Sequence, residues 1–249
     1  MTLNVDLWQA KRLISFSFIL LALLIGSEVF AQVKTGFGPK FGGNVSIFRG
    51  EMKADGMRKP HFGYTIGGYF NVRSQKQKRW QFEANVLYTS RGNNSEFFKI
   101  VDDDPVNDDE KYSFSYNIGY IEIPLLMKYM LNKGGMTRPY LFFGPVYSGL
   151  LHAKQINKLT KRDANAFDWI TRDDFGLMVG WGITSFFIDR WYHLDVRLYN
   201  GFVDISDNLA NDIRKFEDSQ NQRRSEFYNT TLSITLGIGL ERSETVFLR

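Results

Sequence analysis

Residues 230–241 read TTLSITLGIGLE. In an extended strand Leu232, Ile234, Leu236, Ile238 and Leu240 fall on one side, and Thr231, Ser233, Thr235, Gly237 and Gly239 on the other. The apolar side must be buried, either in the protein's own core or in lipid. Seven further stretches suit strands of similar length: Val33–Phe48, Phe62–Val72, Trp80–Arg91, Ile118–Met130, Pro139–His152, Phe175–Ile188 and Tyr192–Phe202. In the second, Phe62, Tyr64, Ile66, Phe70 and Val72 oppose Gly63, Thr65, Gly67 and Asn71; in the seventh, Leu194, Val196 and Leu198 oppose Asp195, Arg197 and Tyr199. The fifth is apolar on both faces.

The connections alternate in length. Long, charged excursions follow strands one, three, five and seven, among them Gly92–Ser113 and Val203–Glu226. Short ones follow strands two, four and six, including tight turns at Asn132–Gly135 and around Asp189–Arg190. Long loops at one end of antiparallel strands and short turns at the other are the pattern of a transmembrane β-barrel, extracellular loops opposite periplasmic turns. An even strand count places both termini of the mature chain on the periplasmic side.

The first 31 residues read as a targeting segment. Lys11 and Arg12 precede the apolar run Leu13–Gly26, and Val29–Ala31 offers a cleavage site before Gln32. Removal of residues 1–31 leaves a single outer-membrane β-barrel domain over 32–249. With 16% aromatic residues, 22 glycines and 6 prolines, the composition suits strands and turns. A formal charge of +4, dispersed along the chain, gives no nucleic-acid footprint. There is no cysteine, so neither disulfides nor thiol chemistry support the exported chain.

The polar faces decide which side is inside. Thr, Ser and Gly on the last strand fit a crowded tube better than a solvated surface, and about eight strands leave an interior that side chains can fill. Lys40, Glu83, Glu122, Lys128, Asp195 and Arg197 share those faces singly and in both signs. Buried charges persist only when paired, so these six are predicted to form an internal ion-pair network that plugs the lumen. Phe62, Tyr64, Phe70, Trp80, Tyr88, Tyr120, Tyr129, Trp191 and Tyr192 are placed for interfacial girdles. Pro39, Pro124 and Pro145 fall inside strands, where each removes a ladder donor, so local bulges are expected there.

Gly38–Ser46 (GPKFGGNVS), with Gly38, Lys40, Gly42, Asn44 and Ser46 at alternate positions, resembles the opening strand of the PorT-like outer-membrane β-barrel family. Tyr120–Tyr129 is similar to that family's fourth strand, including its Glu122–Ile123–Pro124 core, and Arg138–Leu151 and Val196–Asn208 resemble its fifth strand and its seventh strand with the following loop. The resemblance implies an all-β, eight-stranded antiparallel transmembrane barrel in a Gram-negative outer membrane. It implies no shared catalytic motif; one member of the family serves a protein secretion system, a role these strands do not carry over.

Candidate chemistry is sparse. His61, His152 and His193 lie in separate elements without metal-ligand spacing, so no metal or cofactor is expected. Ser148 and His152 share one face of strand five on strict alternation, the one opening for a lipid-modifying enzyme. Residues four apart along a strand are about 13 Å apart, too far for a nucleophile and its base. The acidic run Asp102–Glu110 could take a divalent cation, though it lacks the spaced ligands and turn glycine of a calcium loop. Arg49, Lys53, Arg58, Lys59, Lys154, Lys158, Lys161 and Arg162, all on the long-loop side, could pair with lipopolysaccharide phosphates. The reading is a monomeric, non-enzymatic outer-membrane barrel that presents surface loops or serves as a membrane-embedded partner of an envelope complex. The alternatives are an accessory of a PorT-type secretion system, a lipid-modifying enzyme and a narrow pore.

Overall fold

The β-branched, aromatic and glycine-rich stretches form strands in a computed structural model of the chain. It describes residues 33–50, 56–74, 79–98, 111–132, 134–157, 162–166, 170–205 and 227–240. Eight long strands make the wall: β1 (Val33–Arg49), β3 (His61–Ser74), β4 (Trp80–Phe98), β5 (Lys111–Met130), β6 (Thr137–Asn157), β8 (Asp173–Phe187), β9 (Arg190–Gly201) and β10 (Tyr228–Ile238). Each pairs antiparallel with the next, and β10 returns to β1 in a continuous register from Lys40↔Gly237 to Arg49↔Tyr228. The ring is closed, so it has no unpaired edge.

Two four-residue strands stand above the ring at its loop end. β2 (Gly56–Lys59) pairs with the far end of β4, and β7 (Arg162–Asn165) with the far end of β6. Residues 92–98 and 111–117, outside the expected strands and for the most part within the expected excursion Gly92–Ser113, instead extend the β4–β5 hairpin from Gly92↔Asn117 to Phe98↔Lys111. Polar side chains bridge it, with Ser115 donating to Asn94 at 2.7 Å and Ser90 to Asn117 at 3.1 Å. The wall therefore rises on one sector into a collar of order β2–β4–β5–β6–β7.

At the turn end, β8 and β9 are joined by Ile188 and Asp189, with φ of 47° and 55°, closed by Phe187↔Arg190. Positive φ at both central residues matches the twist of a two-residue hairpin. The turn is centred one residue before the expected Asp189–Arg190. Gly135, at φ 101°, serves the β5–β6 turn.

Alternation holds along the wall except at one bulge on β6, and its sense is inverted relative to a soluble protein. Ile66 and Ile234 are each 56% exposed on the outer wall, whereas Glu83 and Asp195 are 0% exposed inside. Both aromatic belts occupy the outer wall or its rims. Trp80 packs on Tyr129 at 4.8 Å near the turns; Tyr64 packs on Tyr88 at 5.6 Å and Tyr147 on Phe175 at 5.1 Å near the loops. Trp80 to Tyr88 on β4 is roughly 27 Å of strand at ~3.4 Å per residue, or about 21 Å of height at a tilt of about 40°. That approximates the apolar band of a membrane barrel. Tyr120, expected in a girdle, points inward and is fully buried.

The ladder also corrects the proline expectation. Its register is the same on both sides of Pro39, Pro124 and Pro145; around Pro124 pairing lapses between Pro124↔Val146 and Met127↔Phe143 without slipping. The register shift lies instead at Gly119/Tyr120, opposite Leu150–His152. The extra residue turns His152 outward, where its ring stacks on Tyr88 at 6.1 Å and 16°. Gly119 makes room: a Cβ there would lie 2.3 Å from His152 Cε1. Gly119→Ala is expected to cost about 1–2 kcal/mol in urea unfolding of the detergent-folded barrel, and His152→Ala in the same chain to recover most of it through coupling. Additive losses would show that the ring and the glycine do not compete for space.

Candidate functional site

The barrel interior holds the buried charge. Four cations (Lys40, Arg91, Lys128, Arg197) and four anions (Glu83, Glu122, Asp174, Asp195) are buried among the described residues. Equal numbers fit a closed space, since an uncompensated ion there faces a desolvation cost of several kcal/mol.

The eight divide into two tiers. In the tier nearer the turns, Lys40 Nζ lies 2.7 Å from Glu83 Oε1 and 3.0 Å from Asp195 Oδ2. Lys128 Nζ is 2.5 Å from Glu83 Oε2, and Arg197 Nη2 is 2.6 Å from Asp195 Oδ2. Tyr140 donates its hydroxyl hydrogen to Asp195 Oδ1. Gly182 permits that approach, because a Cβ there would sit 2.7 Å from the Tyr140 ring and 2.8 Å from Asp195 Oδ1. In the tier nearer the loops, Arg91 pairs with Glu122 and, at 3.5 Å, with Asp174 Oδ2, which also accepts from Asn229 at 2.9 Å.

Aromatic faces cover the cations. Arg91 lies 3.9 Å from the Tyr199 ring centroid and 5.3 Å from that of Tyr120; Lys128 lies 4.5 Å from Tyr140 and Lys40 4.9 Å from Tyr69. These cation–π contacts strengthen when desolvated. They explain why β6 is apolar on both faces: Leu141 and Phe143 face out, while Tyr140, Phe142 and Val146 face the ions. Above the Arg91 tier an apolar cap of Phe48, Ile118, Tyr120, Ala153, Ala166, Ile170 and Ile205 fills the loop-end mouth.

Of the six residues singled out in the sequence, five share the lower tier and Glu122 sits in the upper one with Arg91 and Asp174. Both of those partners were missed. Arg91 lies eight residues beyond Glu83 on the same strand, an even step that alone places it on the same face. Asp174 stands just before the expected start of its strand. Ser148 is inside and His152 outside, so the bulge separates the pair that strict alternation had put on one face. Among the basic loop residues, Arg49, Lys59 and Lys154 are exposed at the loop end; Arg58 lies on β2 and Arg162 on β7. Lys53, Lys158, Lys161, the run Asp102–Glu110 and residues 1–31, expected as a targeting segment, lie outside the described residues. His61, His152 and His193 fall on β3, β6 and β9, and among the described residues no group of three or more His, Asp or Glu is arranged to hold a metal.

A family model described as outer membrane protein beta-barrel domain matches residues 30–207, most of the chain. The chain belongs to that family. Its place is therefore the outer membrane, which fits the apolar outer wall and the ionic lumen. No curated protein sequence matches it. Solved structures with a similar course include Neisserial surface protein A (12% identity, 82% of this chain and 98% of that one, TM-score 0.42). Others are OprG of Pseudomonas aeruginosa (11%, 84% and 95%, TM-score 0.41) and Ail of Yersinia pestis (12%, 83% and 99%, TM-score 0.39).

The lower tier has three cations and two anions, so its members are not equivalent. Glu83→Ala strands Lys40 and Lys128 and is expected to cost about 3–5 kcal/mol. Lys128→Met removes the surplus charge and keeps the packing, so a cost of at most about 1–2 kcal/mol is expected. Urea midpoints of the detergent-folded variants measure the difference; equal losses would contradict the charge balance.

Proposed function

We propose that this protein is a sealed, non-enzymatic barrel whose working surface is the collar β2–β4–β5–β6–β7, held at the cell surface as the membrane-embedded partner of an envelope complex. The collar carries this reading. Among the described residues the wall is extended on one sector, and with its short edge strands β2 and β7 it offers a surface that a plain lipid-spanning tube does not need. The filled lumen supports it by leaving ions and aromatic rings where a pore would hold water. In this reading residues 1–31 direct export and are removed, both mature termini face the periplasm, and the barrel is a monomer.

Arg49, Lys59 and Lys154 would meet lipopolysaccharide phosphates at the loop-end rim, and the other basic loop residues named above would add to that contact. A role in a PorT-type secretion system is the narrower form of the same reading, supported by the resemblance of the four segments, and would show as lost export on deletion. A lipid-modifying activity is disfavoured by the opposite faces of Ser148 and His152; an unchanged lipid A mass profile after deletion would agree.

A photo-crosslinking residue at Lys154 in intact outer membranes is expected to capture a protein partner, and one at Leu232 on the lipid wall only lipid. Capture of lipid alone from Lys154 would overturn the proposal. The purified barrel is expected to show no unitary conductance in planar bilayers.

A further inference from the structure

The register shift between β5 and β6 has a second consequence, on the outside of the barrel. A bulge re-aims side chains, and bulges cluster next to sites that use them. Here the extra residue turns both Leu151 and His152 to the outer wall, opposite Gly119.

Gly119 lets two polar groups meet there. A Cβ on it would lie 2.5 Å from His152 Nδ1 and 2.9 Å from the Tyr88 hydroxyl oxygen, so imidazole and phenol converge on one notch in the wall. Their rings stack at 16°, and Tyr64 backs Tyr88 from the next strand at 5.6 Å between centroids.

The neighbouring ladder positions extend the set of donors. Asn117 on β5 pairs with Gly92 on β4 and with Lys154 on β6, one step toward the loops from Gly119 on the same face. Asn117 Oδ1 accepts from Ser90 at 3.1 Å, which leaves its amide hydrogens for another acceptor. Lys154 is exposed. Tyr88, Asn117, His152 and Lys154 therefore bring O–H and N–H groups from three adjacent strands to one patch, about 10 Å across.

Height decides what such a patch meets. Tyr88 belongs to the loop-end aromatic belt, so the patch stands at the level of lipid headgroups. Toward the turns from it, Leu151, Ile121 and Ile123 present exposed apolar side chains to the hydrocarbon. An amphiphile with its acyl chains on that strip places its polar head on the donors. A phosphate accepts from all four, most strongly from the ammonium. The stacked rings add an apolar platform with polar tips, which suits the face of a sugar, and three strands' width suits a head larger than one phosphodiester.

We propose that the bulge builds a headgroup site for a phosphorylated glycolipid of the outer leaflet, with Tyr88, Asn117, His152 and Lys154 holding its phosphate and the Tyr88–His152 stack supporting its sugar. The site rests on the reading that the loop-end rim meets lipopolysaccharide, and it gives that contact a place and a geometry.

The full chain, folded in detergent and checked by heat-dependent gel mobility, would be titrated with bis-phosphorylated lipid A and followed by native mass spectrometry. Saturable retention of lipid A is expected. His152→Ala and Lys154→Gln should each weaken it about tenfold, the loss of one hydrogen bond to a charged group. Tyr88→Phe, which keeps the ring and removes only the hydroxyl, should weaken it similarly and serves if another variant fails to fold. Arg190→Gln, at the turn end, should leave it unchanged. Dephosphorylated lipid A should be held weakly, and alike by the parent and the variants. Retention of phosphatidylglycerol as tight as that of lipid A would overturn the glycolipid assignment. Saturable lipid A binding that none of the three variants weakens would overturn the site; weakening by Arg49→Gln would then leave the wider rim reading standing, whereas no saturable binding at all would remove both.

Discussion

A strand in hydrocarbon has no water to satisfy its N–H and C=O groups, so the ladder must close on itself. The β1–β10 pairing supplies that closure. Each further feature follows from the geometry of the closed ring. Eight strands define a tube narrow enough for side chains to fill, and inside–outside alternation, broken at one bulge, sends every second residue into it. One face of each strand therefore meets lipid, and the other must solve a packing problem in a space with no room for loosely hydrated charge.

The interior solves that problem with ion pairs roofed by aromatic rings. Lysine and arginine stems fill volume, their heads pair with carboxylates from strands across the lumen, and tyrosine and phenylalanine faces cover what remains. A hydrocarbon core would do the same filling. The ionic version has a consequence for assembly: its faces stay polar before the barrel closes, so an unfolded exported chain exposes less contiguous apolar surface to aggregate. The ladder's bulge at Gly119 shows the outer wall under its own constraint, since one extra residue moved a histidine from lumen to interface.

The two ends of the tube differ in chemistry. At the loop end an apolar cap and a raised sheet close the lumen. At the turn end the inner wall finishes in cations, unpartnered polar atoms and a tryptophan.

The sequence by itself determined the number of long strands, their faces and the inverted polarity, because a period of two is a local property that survives any tertiary arrangement. Lys40, Glu83, Lys128, Asp195 and Arg197 were recognisable as inward from parity alone. The tertiary structure decided what parity cannot reach. Which charges meet depends on strand tilt and shear, so Glu122 parted from the others and joined Arg91 and Asp174. Where a strand stops depends on its partner, so residues 92–98 and 111–117 became a hairpin stalk. Where alternation breaks depends on a single inserted residue, which put Ser148 and His152 on opposite sides of a wall that the sequence alone draws as unbroken.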